Sequence, residues 1–266
     1  MSLEHLILLA LVQGITEFLP ISSSGHLNLV HLLTDLPDEG VLIDVGVHAG
    51  TLLAVVIYFW RDVWSLTVGF LNLLRGRPSP EGRLAIFLIV ATVPTVLAGF
   101  WLLKSGYTES VRALEVITWA NIAFAILLYL GDRMGGTMRR LESMTANGAL
   151  AIGFMQVLSL IPGASRAGVT ITMARALGFE RTDAARFSML LSIPTILGAA
   201  TASIYEVWQT GNAVLQADMM LAVVLAFVSA IVTIALFMKM LTRATLTPFV
   251  IYRLVLGGVL LGFLYL

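Results

Sequence analysis

Long apolar runs separated by short polar stretches dominate the pattern of this chain. Six of these runs are long enough to cross a bilayer as a helix, which takes about 20 residues. They lie near Val41–Trp60, Leu84–Leu103, Ala113–Leu130, Ser188–Val207, Met219–Lys239 and Pro248–Leu266. The connecting polar stretches are predicted to be loops, namely Arg61–Arg83, Lys104–Arg112, Gly131–Asn147, Arg175–Arg186, Gly211–Asp218 and Leu241–Thr247. The pattern therefore predicts six transmembrane helices.

Two further apolar segments are interrupted by polar and helix-breaking residues. In the first, Val12–Val30, Pro20 ends a helix because proline lacks an N–H and clashes with the preceding turn. Any of the three serines Ser22 to Ser24 can cap a second helix after this break. Irregular backbone at membrane depth is tolerated where it lines a cavity. The segment is therefore predicted to form a re-entrant helical hairpin.

The second interrupted segment, Met155–Met173, repeats this plan around a break at Pro162-Gly163. Three pairs of identical residues are 143 positions apart, namely Gln13 and Gln156, Ser22 and Ser165, and Gly25 and Gly168. Because an odd number of spans accompanies each hairpin, the second copy is inverted relative to the first. The sequence thus predicts one all-α integral membrane domain over residues 1–266, with six transmembrane helices and two re-entrant hairpins. Its halves, approximately 1–143 and 144–266, form an inverted-topology repeat.

Composition and charge support the membrane assignment and exclude several kinds of site. The chain is 58% hydrophobic and only 12% charged, whereas a soluble domain carries about 25% charged residues. Its formal net charge of zero gives no bulk attraction to nucleic acid, so no nucleic-acid partner is expected. The absence of cysteine excludes disulfides, Cys-ligated zinc and cysteine nucleophiles.

Lysine and arginine residues fall mostly on one side of the predicted spans, which identifies that side as cytoplasmic. The opposite side has Lys104 and Arg112, while Arg166 and Arg253 lie within apolar segments. Under this orientation the first hairpin enters from outside, the second enters from the cytoplasm, and both termini lie outside. The cytoplasmic group consists of Arg61, Arg75, Arg77, Arg83, Arg133, Arg139, Arg140, Arg175, Arg181, Arg186, Lys239 and Arg243.

Glu17 and Arg166 are the ionisable residues of greatest interest, because charges in a bilayer interior cost about 2.5–3.5 kcal/mol each on insertion scales. A buried ion pair that locks the two hairpins together is one interpretation. Hydroxyls, a histidine and two glutamines cluster at the same breaks, however, which favours a ligand site. The guanidinium fork suits phosphate oxygens, and helices that begin near Ser23 and Ser165 would add positive dipole ends. The two breaks are therefore predicted to meet and to bind a phosphate-bearing lipid.

The remaining polar residues allow several chemistries. Glu17 would repel an anion unless a hard divalent cation, Mg²⁺ or Ca²⁺, binds between them, and Gln13 could add an amide oxygen to that ion. Ser23 lies three residues before His26, so the pair could act as a nucleophile with its base. Alternatively, His26 activates water or itself attacks phosphorus. Arg253, near the inner end of the last span, is expected to snorkel, and Arg253→Ala is expected to retain at least half of the activity.

The motifs QGITEFLPISSSGH and IPGASRAG resemble those of the undecaprenyl-diphosphate phosphatase family, also called bacitracin-resistance proteins. The resemblance covers the whole chain. The acidic motif of the family falls on Gln13 and Glu17, which leaves Glu17 as the sole acid of this motif. Its serine-rich turn falls on Ser22 to Ser24, with the histidine on His26. Its PGxSR motif falls on Pro162, Gly163, Ser165 and Arg166.

This resemblance implies a membrane phosphatase that converts undecaprenyl diphosphate into undecaprenyl phosphate and inorganic phosphate, recycles the lipid carrier of peptidoglycan synthesis and confers bacitracin resistance. It also implies dependence on a divalent metal and a location in the bacterial inner membrane, with the active site open to the periplasm. The candidate catalytic residues are Glu17, Ser23, His26 and Arg166, with Glu17 also a metal ligand. The candidate substrate-binding residues are Gln13, Ser22, Ser24, Gly163 and Ser165.

A transporter or flippase of polyprenyl phosphate lipids is the alternative, because inverted repeats with broken helices are typical of transporters. A nucleophile with its base favours the enzyme. The expected partners are the polyprenyl diphosphate and membrane lipids, and a homodimer is compatible with the sequence.

Overall fold

The computed structural model describes residues 3–34, 40–105, 113–136, 138–209 and 213–265. Within these ranges the chain is all-α, apart from an isolated β-bridge between Arg139 and Phe179. Short 3₁₀ turns at Leu141–Ser143 and Leu158–Leu160 flank the helix before the second break. The α-helices of these ranges are α1 (Leu3–Thr16), α2 (Ser23–Thr34), α3 (Gly40–Tyr58), α4 (Trp60–Leu74), α5 (Pro80–Ser105), α6 (Leu114–Met134), α7 (Ala146–Val157), α8 (Arg166–Ala176), α9 (Arg181–Gln209), α10 (Ala213–Leu241) and α11 (Thr247–Tyr265).

Each of the six predicted spans coincides with a helix, namely α3, α5, α6, α9, α10 and α11. Four of these, α5, α6, α10 and α11, are long and apolar enough to cross a membrane. A fifth candidate is the pair α3 and α4, if the two helices form one span bent by 83°. The side chains of α9 are described only as far as Gly198. The described residues therefore contain four or five candidate spans.

The prediction of a loop over Arg61–Arg83 is wrong, because this stretch contains most of α4. Its large apolar residues recur every three or four positions, which places Trp60, Trp64, Leu71 and Leu74 on one exposed face. The charges at either end of the stretch obscured this amphipathic pattern. The predicted loop Gly211–Asp218 is wrong from Ala213 onward, because α10 begins there. The predicted loop Lys104–Arg112 falls largely on residues outside the described ranges, and so does Leu266 at the end of the last predicted span.

Both interrupted segments form two helices joined by an irregular break, as predicted. The helices α1 and α7 begin 143 positions apart, and α2 and α8 do so as well. Ser22 and Ser165 cap α2 and α8 by accepting hydrogen bonds from the N–H groups of Gly25 (3.3 Å) and Gly168 (3.0 Å). Among the described residues other than glycine, only these two serines have positive φ, 73° and 72°. The two breaks therefore share one local structure.

The first helix of each hairpin packs against a long helix from the other half of the chain. On α1, Gly14 faces α10, where a Cβ would lie 2.7 Å from the carbonyl oxygen of Ala226. On α7, Gly153 faces α5, where a Cβ would lie 2.4 Å from the carbonyl oxygen of Ala91. Glycine at these positions lets the helix backbones approach closely. Each hairpin is thus held by the half to which it does not belong.

A buried polar cluster around Asp132 joins α6, α8, α9 and the start of α11. The Asp132 carboxylate accepts hydrogen bonds from Arg175 Nε (2.9 Å), Arg181 Nε (2.8 Å) and the Leu246 N–H (3.2 Å). Arg175 was predicted to lie in a loop over Arg175–Arg186, but it is fully buried on α8. Its guanidinium also donates to the carbonyls of Asp132, Gly135, Gly136 and Phe179, which satisfies the carboxyl end of α6.

Replacing Gly153 by Ala is expected to lower the thermal unfolding temperature of the purified protein, because the added methyl group would overlap the Ala91 carbonyl. Overpacking of this kind costs about 1–3 kcal/mol. The matched control is Gly258→Ala on α11, where a Cβ meets nothing within 4 Å in the described part of the chain. Since alanine favours helix over glycine by about 1 kcal/mol, this control should be neutral or stabilising. Equal unfolding temperatures for the two variants would contradict the close α5–α7 contact.

Candidate active site

The two breaks meet through an ion pair between Glu17 and Arg166. Glu17 follows the last residue of α1, and Arg166 is the first residue of α8. Arg166 Nη2 lies 2.6 Å from Glu17 Oε1, and the two side chains are only 15% and 6% exposed, respectively. The predicted meeting of the hairpins is confirmed. An ion pair so far from water gains strength from the low local dielectric but requires further hydrogen bonds to offset desolvation.

Those further hydrogen bonds come from the first hairpin itself. Gln13 lies one turn before Glu17 on α1, and its Nε2 donates to Glu17 Oε2 at 2.9 Å. Ser23 is the first residue of α2, and its hydroxyl donates to the same oxygen at 2.7 Å. Together with Arg166, these donors hold the carboxylate in one orientation and favour its charged form.

Two buried polar atoms beside this carboxylate have no hydrogen-bond partner among the residues that the structure describes. They are Arg166 Nη1, a cationic donor, and Gln13 Oε1, a neutral acceptor. Leaving such a group unpaired costs about 1–3 kcal/mol, so buried polar atoms without partners are rare. The pair of atoms is suited to a ligand that brings an anionic oxygen to Arg166 and a cation or donor to Gln13.

His26 is fixed on the other side of α2. Its Nδ1 lies 2.7 Å from the carbonyl oxygen of Ser22, and its Nε2 lies 2.6 Å from the Tyr252 hydroxyl. The carbonyl can only accept, so Nδ1 carries the proton. When His26 is neutral, its Nε2 accepts from the Tyr252 hydroxyl. The two rings also stack, with centroids 5.7 Å apart. The hydrogen bond between Ser23 and His26 suggested by their spacing is not formed, because Ser23 turns to α1 and His26 turns to α11.

The remaining candidate residues surround the same two helix starts. The hydroxyls of Ser22 and Ser165 cap α2 and α8, and Ser165 also lies 3.4 Å from the carbonyl oxygen of Leu19. Ser24 is exposed, with its Oγ 3.4 Å from that of Ser22. Gly163 has a φ of 91°, the left-handed region that glycine adopts without strain. The structure thus brings Gln13, Ser23 and Arg166 together around Glu17, whereas His26 faces α11. The individual roles of the candidate residues stay predictions.

Arg253 does not snorkel, contrary to the sequence prediction. It is completely buried, and its guanidinium donates to Asn121 Oδ1 and to the carbonyls of Pro20, Gly163 and Ala164. Its position in the sequence already indicates burial. The helix α11 begins at Thr247, so Arg253 lies more than one turn inside the span, where an ionisable residue is expected to have internal partners. Asn121, a polar residue within a predicted span, is that partner.

A divalent cation fits this site only if a ligand supplies most of its coordination. In the described ranges, no group of three or more His, Cys, Asp or Glu side chains could hold a metal ion. The available protein oxygens are the Glu17 carboxylate and the unpartnered Oε1 of Gln13. Mg²⁺ is commonly bound by one or two protein groups together with water and phosphate oxygens. The donor set therefore fits a hard cation that binds together with a phosphate-bearing ligand.

Comparison with known proteins gives consistent matches over the full chain. The model of the family described as bacitracin resistance protein BacA matches residues 6–259. The undecaprenyl-diphosphatase of Ruegeria pomeroyi is 50% identical over 266 residues, which cover all of both chains. That of Roseobacter denitrificans is 47% identical with the same full coverage. Undecaprenyl-diphosphatase 1 of Rhodospirillum rubrum is 44% identical over an alignment that covers all of this chain and 96% of its own.

Removing one partner of the Glu17–Arg166 pair is expected to destabilise the protein more than removing both. A single Glu17→Gln substitution leaves a buried guanidinium unpaired, which typically costs about 3–5 kcal/mol. The double variant Glu17→Gln/Arg166→Gln removes both charges and should unfold at a higher temperature than at least one of the single variants. Thermal unfolding of all three purified proteins measures this coupling. Strictly additive effects would contradict a direct ion pair across the two breaks.

Proposed function

We propose a function for this chain from the premise that it belongs to the family of bacitracin resistance protein BacA. It is a membrane phosphatase that hydrolyses undecaprenyl diphosphate to undecaprenyl phosphate and inorganic phosphate. The reaction recycles the lipid carrier of peptidoglycan synthesis and confers resistance to bacitracin. The observation that carries this proposal is the unpartnered Nη1 of Arg166 beside the hydrogen bond from Ser23 to Glu17. This arrangement offers an anion-binding donor next to a hydroxyl that has a proton acceptor.

The proposed architecture is a single domain of six transmembrane helices and two re-entrant hairpins, arranged as an inverted repeat of residues 1–143 and 144–266. The shared offset of 143 between the helix starts, the equivalent serine caps and the reciprocal packing of α1 on α10 and α7 on α5 support it. The distribution of cations supports an orientation in the bacterial inner membrane with the site open to the periplasm and both termini periplasmic.

The diphosphate head group binds where the two hairpins meet. The first N–H groups of α2 and α8 and the guanidinium of Arg166 all carry positive charge or partial charge toward the break. Arg166 donates to a phosphate oxygen either from Nη1, which has no partner among the described residues, or from Nη2, which then leaves Glu17. Ser24, exposed beside Ser22, contacts the phosphate at the rim. A divalent cation bound by Glu17 and Gln13 would neutralise negative charge on the diphosphate.

The lipid tail extends into the bilayer along an apolar groove beside the site. This groove has a volume of about 680 Å³. One wall consists of Leu11 and Ile15 on α1 and of Leu19 in the turn after it, which alternate with the polar Gln13 and Glu17. The remaining wall comes mainly from α10. One helix therefore presents the tail-binding residues to lipid and the head-group residues to the interior, which suits an amphiphilic substrate.

The chemical step is attack by Ser23 on the terminal phosphorus. The new bond joins Ser23 Oγ to phosphorus, the bond between phosphorus and the bridging oxygen breaks, and undecaprenyl phosphate leaves. The Ser23 proton passes to Glu17 Oε2, which already accepts a hydrogen bond from it at 2.7 Å. Water then forms a bond to the phosphorus, the bond between phosphorus and Ser23 Oγ breaks, and inorganic phosphate leaves while Glu17 returns its proton to Ser23 Oγ. His26 becomes available as the base for this water when Tyr252 releases its Nε2.

Transport of a polyprenyl phosphate lipid is the second candidate function, and the reciprocal packing of the two hairpins favours it. The two functions differ in what purified protein does without a membrane gradient. In detergent with Mg²⁺ or Ca²⁺, we expect phosphate release from undecaprenyl diphosphate, loss of release with a chelator and recovery when metal is added back. Intact lipid binding with no phosphate release would favour transport and contradict the phosphatase.

Substitution of the reacting groups separates their roles. Ser23→Ala, Glu17→Gln and Arg166→Gln are each expected to lower phosphate release by about 10²-fold or more, since each removes a group from the transition state. Val255→Ala, on the exposed face of α11, is the control that should leave the rate unchanged. Rapid quenching with terminally ³²P-labelled substrate should trap phosphoserine in the wild type. If Ser23→Ala retains the wild-type rate while His26→Ala is inactive, the serine nucleophile is wrong.

A further inference from the structure

Arg253 is a fully buried cation that binds neutral partners within the described ranges. Its Nε lies 3.0 Å from Asn121 Oδ1, and its Nη1 lies 3.2 Å from the carbonyl oxygen of Pro20. Its Nη2 lies 2.8 Å from the carbonyl oxygen of Gly163 and 3.2 Å from that of Ala164. No ion pair compensates its charge in the part of the chain that the structure describes. Such burial is costly, and the guanidinium offsets it by donating to four acceptors, three of which are backbone carbonyl oxygens at the two breaks.

The guanidinium joins equivalent points of the two breaks. Pro20 and Gly163 are 143 positions apart, the same offset that relates the two hairpins. Each residue lies two positions before the positive-φ serine that caps the following helix. The two outer nitrogens of Arg253 therefore hold one break each. Glu17 and Ser23 lie at the first break and Arg166 lies at the second, so this contact lies between the two halves of the proposed site.

We propose that Arg253 is a positioning residue for the hydrolysis, which fixes the spacing between the Ser23–Glu17 pair and Arg166. The kinetic part of this inference rests on the proposed function. Displacement of one break relative to the other by about 1 Å would separate the attacking hydroxyl from the phosphate held by Arg166, and displacements of this size can cost about 10²-fold in rate. Arg253 itself touches no reacting group, so it acts through the two breaks.

The contact requires arginine rather than any cation. A planar fork places separate nitrogens against Pro20 and Gly163, whereas a lysine ammonium is a compact point charge that cannot span both. Asn121 sets the plane of the fork, because its Oδ1 accepts from Nε and its Nδ2 donates to the Arg253 carbonyl oxygen at 2.7 Å. Gly168 leaves room for Nη1, since a Cβ there would lie 3.0 Å from it.

Kinetics of Arg253→Lys test the role, with Val255→Ala as the control on the same helix. The charge remains in Arg253→Lys but the fork is lost, so kcat per folded molecule should fall at least tenfold while KM changes less than threefold. Loss of activity in proportion to unfolded protein, with normal kcat for the folded fraction, would overturn the proposal and leave a structural role. Asn121→Leu leaves Arg253 in place but removes the acceptor that orients its guanidinium. This variant should show a smaller fall in kcat than Arg253→Lys.

A distance measurement tests the same inference without substrate. The chain contains no cysteine, so Ile15→Cys and Leu158→Cys allow specific spin labelling at exposed positions that are themselves 143 apart. We expect one narrow distance distribution with Arg253 and a broader or shifted one with Arg253→Lys or Asn121→Leu. An unchanged distribution would overturn the positioning role. If wild-type protein releases no phosphate but the distance distribution broadens in Arg253→Lys or Asn121→Leu, the proposed function fails. The positioning of the two breaks by Arg253 then still stands.

Discussion

The ion pair between Glu17 and Arg166 is the contact on which the rest of the site depends. It is formed by residues 149 positions apart in the chain, and it links two helix breaks that belong to different hairpins. Three donors converge on one carboxylate, so the acid is held rigidly at the end of α1. The same convergence leaves one guanidinium nitrogen and one amide oxygen without protein partners. A ligand bound as proposed would supply partners for both of these atoms.

Much of this arrangement is predictable from sequence, because its signals are local. Pro20 and the serines after it define the first break, and the 143-residue offset transfers that assignment to the second. Glu17 and Arg166 stand out as charges in apolar surroundings. These signals predict two capped helix starts and an anion site. They also predict helices at all six apolar runs, since length and composition alone determine those elements.

The errors come from contacts that local patterns do not contain. Arg253 was predicted to snorkel. The carbonyl groups to which it donates lie instead in the two breaks, 90 and 233 positions away in the chain. Arg175 was placed in a loop because its pairing with Asp132 is a tertiary contact. Ser23 pairs with Glu17 rather than with His26 because of the direction in which α2 leaves the break, and local spacing does not determine that direction. In the case of α4, the amphipathic pattern was present but was outweighed by the charges around it.

The positive φ of Ser22 and Ser165 sets an unfavourable backbone conformation against two fixed helix starts. A left-handed backbone at a residue other than glycine costs about 1–3 kcal/mol, and one such position occurs at each of the two breaks. Glycine would remove that cost but would also delete the hydroxyls that define where α2 and α8 start. The chain therefore tolerates a less favourable backbone at two positions, and the first amides of α2 and α8 have fixed directions before any ligand binds.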